Sequence, residues 1–245
     1  MNFYPLSSEV LMETLRDSTS SVSSISVASV FMRHVYQWMT VGLLVTAATA
    51  YFVATSPTLL SLIFGSSVGV IILAVAVIAL PMALMGMISR LSAPAATAIF
   101  VIYSALMGAF LSSLLLVYTG TSVMQTFVTC AGMFAGMSLY GTVTKRDLTG
   151  MGSFMTMGLI GIFIAMIVNF FLASSMLTFV ISILGVIIFT GLTAYDTQKL
   201  RQFGANAPLD DATAMRRGAL LGALTLYLDF INLFLMLLRL IGDRR

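Results

Sequence analysis

The chain has 245 residues, enough for two soluble domains, yet 59% of it is apolar and only 9% is charged. Ordinary globular domains carry roughly 25% charged residues, so the composition excludes a soluble protein and predicts a polytopic membrane protein. The net charge of +3 comes from basic residues scattered between apolar runs, with no dense patch, which excludes nucleic acid as a partner.

Residues 1–34 are polar and Ser-rich, with Glu9, Glu13, Arg16 and Asp17, and read as an N-terminal tail ahead of a transmembrane domain at 35–245. The tail lacks the short apolar core and cleavage site of a signal peptide, which predicts an uncleaved first span. Apolar runs near the ~20 residues needed to cross a bilayer follow at 35–56, 67–89, 95–117, 121–143, 153–173, 176–198 and 218–239. The runs are continuous rather than alternating, and hydrocarbon admits only helices and closed barrels, so the expected fold is an all-α bundle of seven transmembrane helices.

Several features along these spans have bland readings. "GSSVG" at 65–69 fits the G-x-S-x-G pattern with Ser67 in the nucleophile place, but the sole histidine, His34, is expected across the membrane from it. His34, beside Arg33 at a helix start, reads as an interfacial residue. "GMFAG" at 132–136 and "GALLG" at 218–222 are small-xxx-small pairs, expected to pack within the bundle. The 18 methionines are dispersed through the spans as flexible core filling. Cys130 is the only cysteine, so neither an intrachain disulfide nor a Cys-based metal cluster is possible. With no Walker loop, His-based metal motif or EF-hand loop, nucleotide-driven pumping is not expected and no cofactor is required.

Basic residues mark one side of the membrane. Arg16 and Arg33 precede span one, Arg90 follows span two, Lys145 and Arg146 follow span four, and Lys199, Arg201, Arg216 and Arg217 precede span seven. The other connections carry none, so the positive-inside rule predicts a cytoplasmic N-terminus. The closing "RLIGDRR", with Arg239, Arg244 and Arg245, then emerges on the far side. Full crossing of span seven is expected, with a re-entrant segment as the alternative.

Two carboxylates lie inside apolar runs: Asp196 in "GLTAYDTQKL" and Asp229 in "LYLDFINLFLMLL". An Asp at a helix centre costs roughly 2.5–3.5 kcal/mol on insertion scales, so each wants a reason. Gly218, Gly222, Thr225, Asp229 and Asn232 share one stripe of span seven, and Ser182, Gly185, Thr193 and Asp196 nearly share one on span six. Both stripes are small and polar, so both should face the interior and let the aspartates approach. Asp229 falls about 16 Å along its helix from Gly218, whereas Asp196 sits nearer the end marked by Lys199, which leaves a gap in depth. If they meet, the two carboxyls should share a proton and titrate as a pair, and the deprotonated pair offers hard oxygens to Ca²⁺. The bland alternative is a buried carboxylate satisfied by Arg90, Thr193, Tyr227 or Asn232 that only locks helices together.

"GLTAYDTQKL" and "GALTLYLDFINLFLMLLRLIG", with "MSLYGTVTKRDLTG" at 137–150 and "VYQWMTVGLL" at 35–44, resemble the Bax-inhibitor-1 family from about residue 30 onward. The resemblance implies a seven-helix fold with the last helix surrounded by the others, and a pH-sensitive calcium leak gated through an aspartate pair at the positions of Asp196 and Asp229. It also implies that Arg90 could latch an aspartate in a closed state. Arg239 could be a second latch, but reads better as a snorkelling interfacial arginine. The expected function is thus a calcium-permeable, proton-regulated leak in a bacterial inner membrane, contacting lipid, Ca²⁺ and protons. The rival is a non-conducting regulator that binds other membrane proteins, such as a membrane protease. An intramembrane aspartyl protease would also need two carboxylates, but its "GxGD" context is missing, so no enzyme activity is expected.

Overall fold

The computed structural model describes residues 8–88, 90–206 and 211–245, with side chains from Val27 onward, as a succession of helices: α1 (Ser8–Thr55), α2 (Pro57–Phe64), α3 (Ser67–Met87), α4 (Ala93–Val117), α5 (Gly120–Val143), α6 (Thr149–Leu172), α7 (Ser175–Ala205) and α8 (Ala212–Ile241). Hydroxyls and one carboxylate start most of them. Ser56, Ser66, Ser92, Thr119 and Ser174 each accept a backbone N–H from the first turn of the helix that follows, and Asp211 accepts those of Thr213 and Ala214. "GSSVG" is therefore a helix start: Ser66 Oγ accepts the Gly69 N–H at 3.1 Å and Ser67 is the first helical residue, with no strand-to-helix elbow.

Seven helices are long and apolar enough to cross a membrane. The eighth, α2, falls in what reads from sequence as a plain connection. Its eight residues extend only about 12 Å, so it cannot cross a core of about 30 Å. α1 continues back from the first span into the Ser-rich segment, to Ser8 among the described residues. Val27, Phe31 and Val35 are buried while Arg33 and His34 face outward, so average hydropathy under-reads a face that is apolar on one side only.

The last helix is the hub. α8 packs against α1, α3, α4, α5 and α7, and 72% of its apolar window is buried, against 6% for α6, which leans on α7 at the rim. It crosses the bundle completely. At its start Arg216 Nη2 donates to Thr97 Oγ1 at 3.3 Å, beside the first turn of α4; past its end, Thr119 N–H donates to the Asp243 carbonyl at 3.0 Å and Arg245 N–H to that of Val117 at 2.9 Å. The two ends of α8 thus meet opposite ends of α4, which rules out a re-entrant turn.

Close approach depends on missing side chains at two crossings. A Cβ at Gly108 would lie 2.4 Å from the Thr46 carbonyl oxygen of α1, and one at Gly141 would lie 2.2 Å from the Ala194 carbonyl oxygen of α7. "GALLG" behaves as expected, with Gly218 against Phe203 and Gly222 against Leu200 and Val35. "GMFAG" does not: Gly132 and Gly136 have nothing within 4 Å of an added Cβ. Helical spacing places the two glycines on one face but does not say whether that face meets a neighbour.

The α6–α7 turn contains Ala173 at φ 49°, a left-handed conformation that L-residues other than glycine pay for. Asn169 braces the turn, its Oδ1 accepting Ser174 N–H at 3.0 Å and its Nδ2 donating to Thr178 Oγ1 at 2.7 Å. Ala173→Gly is expected to raise stability by about 1 kcal/mol, read as a higher thermal unfolding midpoint in detergent. A lowered midpoint would show that the turn is not strained.

Candidate functional site

Asp229 lies on the buried face of α8, and Asp196 on the face of α7 turned toward it, partly buried. Glycine contacts fix the register of the two antiparallel helices: Gly222 against Leu200 and Gly185 against Met236. This register sets Asp229 level with Thr193, about one helical turn from Asp196. Cα–Cβ bonds tilt toward a helix's own N-terminus, so on antiparallel helices these two side chains lean toward one another across that turn. The two carboxyls face each other closely enough to interact electrostatically. The offset in depth expected from sequence keeps its direction, with Asp196 nearer the Lys199 end, and amounts to one helical turn that the leaning side chains span.

Two carboxylates facing each other in a low-dielectric interior cannot easily both ionise, so such a pair shares a proton. Its second feature is an orphan: Asp229 Oδ2 is buried without a hydrogen-bond partner. The residues that could have satisfied it are occupied elsewhere. Thr193 Oγ1 donates to the Phe189 carbonyl at 2.7 Å, Tyr227 Oη bonds Thr46 Oγ1 at 2.7 Å, and Asn232 Nδ2 donates to the Leu228 carbonyl at 2.9 Å.

Arg90 is exposed in the turn between α3 and α4, and no ion pair joins it to either aspartate. Arg239 is exposed near the far end of α8, with Nη1 3.9 Å from Met166 Sδ on α6, as a snorkelling arginine would be. The structure brings the two aspartates together and leaves both arginines apart from them. The cation beside the pair is Lys199, one turn from Asp196, whose charge acts on Asp196 and whose Nζ lies 5.8 Å from the centre of the Tyr195 ring.

A chain of hydroxyls runs next to the pair. Tyr36 Oη on α1 hydrogen-bonds Ser138 Oγ on α5, which lies 3.1 Å from Thr197 Oγ1 on α7, the residue after Asp196. Gln198 follows and clamps the α5–α6 loop, accepting Leu148 N–H at 2.9 Å and donating to the Arg146 carbonyl at 2.8 Å. Spacing within one helix cannot reveal these contacts, although Tyr36 and Ser138 fall inside segments that carry the family resemblance. Thr144, Lys145, Arg146, Asp147, Gln198 and Arg201 line a polar depression of about 300 Å³ at this end of the bundle.

Within that loop the Thr149 N–H and hydroxyl both donate to Asp147 Oδ1, at 2.9 and 2.6 Å, and hold its carboxyl below the usual carboxylate range. A depressed folded-state value means that this contact stabilises the fold above the unfolded value and is lost as pH falls through the folded one. Amide exchange at Thr149 is therefore expected to accelerate as pH drops below about 4, after correction for intrinsic rates, and not to do so in Asp147→Asn.

A family model described as "Inhibitor of apoptosis-promoting Bax1" matches residues 28–245. The chain belongs to the Bax-inhibitor family. Among family members, inner membrane protein YbhL of Escherichia coli K12 is 50% identical over 234 residues, covering 96% of this chain and all of that one. A Borreliella burgdorferi protein is 45% identical over 229 residues, covering 94% of this chain and 98% of its own length. A third relative, YrjE of Lactococcus lactis, is 39% identical over 216 residues, covering 86% of this chain and 90% of its own. The seven-span bundle with a central last helix is thus the fold of a Bax-inhibitor family membrane protein.

Proposed function

We propose that the chain is a calcium-permeable leak of a bacterial inner membrane, gated by the proton that Asp196 and Asp229 share. The observation that carries this reading is the buried approach of Asp196 and Asp229, with Asp229 Oδ2 given no hydrogen-bond donor. Loss of the shared proton leaves two negative charges one turn apart in a low-dielectric interior, which repel each other and attract a cation. Ca²⁺ suits them by ligand type but prefers six to eight oxygens, and among the described residues no group of three or more His, Cys, Asp or Glu forms. Two carboxylates completed by water and backbone carbonyls would bind Ca²⁺ weakly, which suits a permeating ion better than a resident one. The likeness to YbhL, an inner membrane protein, supports the inner membrane, and the gathering of Lys145, Arg146, Arg201 and Arg216 at one end of the bundle supports a cytoplasmic N-terminus.

Calcium entry into proteoliposomes, followed from roughly pH 5 to pH 8, tests the proposal. Entry should rise with pH in the native chain as the shared proton leaves, and the Asp196→Asn, Asp229→Asn double variant should have a flat profile. The same pH profile in native and variant chains would overturn it. Flux in neither would favour the non-conducting regulator.

A further inference from the structure

Consecutive helices normally pack together, but α4 and α5 do not pack side by side, and α5 meets α1 at Tyr36 and Ser138, toward the opposite end from the groove. The seam between them is a groove of about 410 Å³, floored by Phe230 and Phe234 of α8 and walled by Ala47, Ala50, Leu115 and Phe127. That volume lies within the roughly 300–1,000 Å³ of sites that hold small ligands. The lining is almost wholly apolar and comes from the last turns of α1, α4 and α8 and the first turns of α5, so the groove opens in one leaflet only, on the side where the chain ends.

The C-terminal tail is pinned over the mouth of this groove. Asp243 N–H donates to Ser122 Oγ at 2.8 Å, its carbonyl accepts Thr119 N–H, and Arg245 N–H donates to the Val117 carbonyl. These bonds hold Arg244 and Arg245, both exposed, above Gly120, which lines the groove, with the Arg244 guanidinium 5.8 Å from the centre of the buried Tyr118 ring. The one acidic side chain nearby in sequence, Asp243, is exposed. An apolar slot in the hydrocarbon, with two exposed arginines on a pinned backbone at its headgroup level, complements one kind of molecule in both parts.

We propose that the groove between α4 and α5 holds an acyl chain of an anionic phospholipid, whose phosphate is received by Arg244 and Arg245. Arginine forks match phosphate oxygens bidentately, and the acyl chain fills a gap that no side chain fills. The site is separate from the aspartate pair and does not depend on conduction.

The test uses the full chain in phosphatidylcholine vesicles with a single reporter tryptophan. Trp38 is the only native one, so Trp38→Phe with Tyr51→Trp puts the reporter at the groove rim, and Trp38→Phe with Phe170→Trp puts a control on an exposed face of α6 in the same leaflet. Each is quenched with brominated phosphatidylglycerol or brominated phosphatidylcholine at equal mole fractions. The groove reporter should be half-quenched at a several-fold lower fraction of the glycerol lipid, the control should respond equally to both, and Arg244→Gln with Arg245→Gln should abolish the difference. Equal quenching at the groove, an equal preference at both reporters, or a preference that survives the arginine changes would each overturn the assignment. Quenching that appears at the groove only when the protein is diluted in the bilayer would mean that a second copy covers it, which overturns it too.

Discussion

Gly141→Val is expected to destabilise the bundle by about 3 kcal/mol, the upper end of overpacking penalties, because the new side chain meets backbone. Its Cβ alone would sit 2.2 Å from the Ala194 carbonyl oxygen, two residues before Asp196, and no rotamer change relieves a clash with a carbonyl inside a helix. The α5–α7 contact would have to open, parting Ser138 from Thr197 and loosening the helix that positions Asp196. Gly136→Val on the same helix is the matched control, since an added Cβ there meets nothing within 4 Å. It should change stability by less than about 0.5 kcal/mol beyond the small gain in helix propensity that replacing glycine brings. Thermal unfolding of both variants in detergent decides the matter. Similar midpoints for the two would mean that α5 and α7 do not touch at Gly141.

That contrast also marks how far the sequence can be read. Seven spans, their order and the inward small-polar stripes were legible because each depends on hydropathy or on spacing within one helix. Ser182, Gly185 and Thr193 on α7, and Gly222 and Asp229 on α8, are buried as their stripes require. Long-range quantities were not legible. Register between α7 and α8 depends on which residue of one meets which glycine of the other, so loop counts give the direction of the offset between Asp196 and Asp229 but not its size, one helical turn. The two glycine pairs looked alike in sequence, yet Gly222 packs against Leu200 while Gly132 and Gly136 face open space. The continuation of α1 to Ser8 and of α7 to Ala205 escaped hydropathy because a helix does not stop where its apolar face does. The hydroxyl chain from Tyr36 through Ser138 to Thr197 joins residues 102 and 59 positions apart, beyond the reach of any local pattern.

Asp229→Val should raise stability while removing pH-responsive calcium entry. A buried polar atom without a partner costs about 1–3 kcal/mol, and replacing buried ionisable groups with apolar ones of similar size is often neutral or stabilising. Asp229 carries such an atom in Oδ2, and its surroundings on α8 are Leu, Phe and Ile. Valine removes the orphan and keeps most of the volume. Asp196 then loses the carboxyl beside it, but it is only partly buried and has Lys199 one turn away, so its charge is not stranded. The expected gain is about 1–3 kcal/mol, read as a higher thermal unfolding midpoint of the purified chain. If the pair served only to lock α7 to α8, the same change would lower the midpoint, because breaking a structural contact leaves nothing in its place. The sign of the shift therefore separates a helix lock from a site held at a cost in stability, and flux on the same preparation shows whether that cost is tied to the proposed leak. A higher midpoint with an unaltered calcium profile would leave the orphaned oxygen explained as strain and would remove Asp229 from the gate.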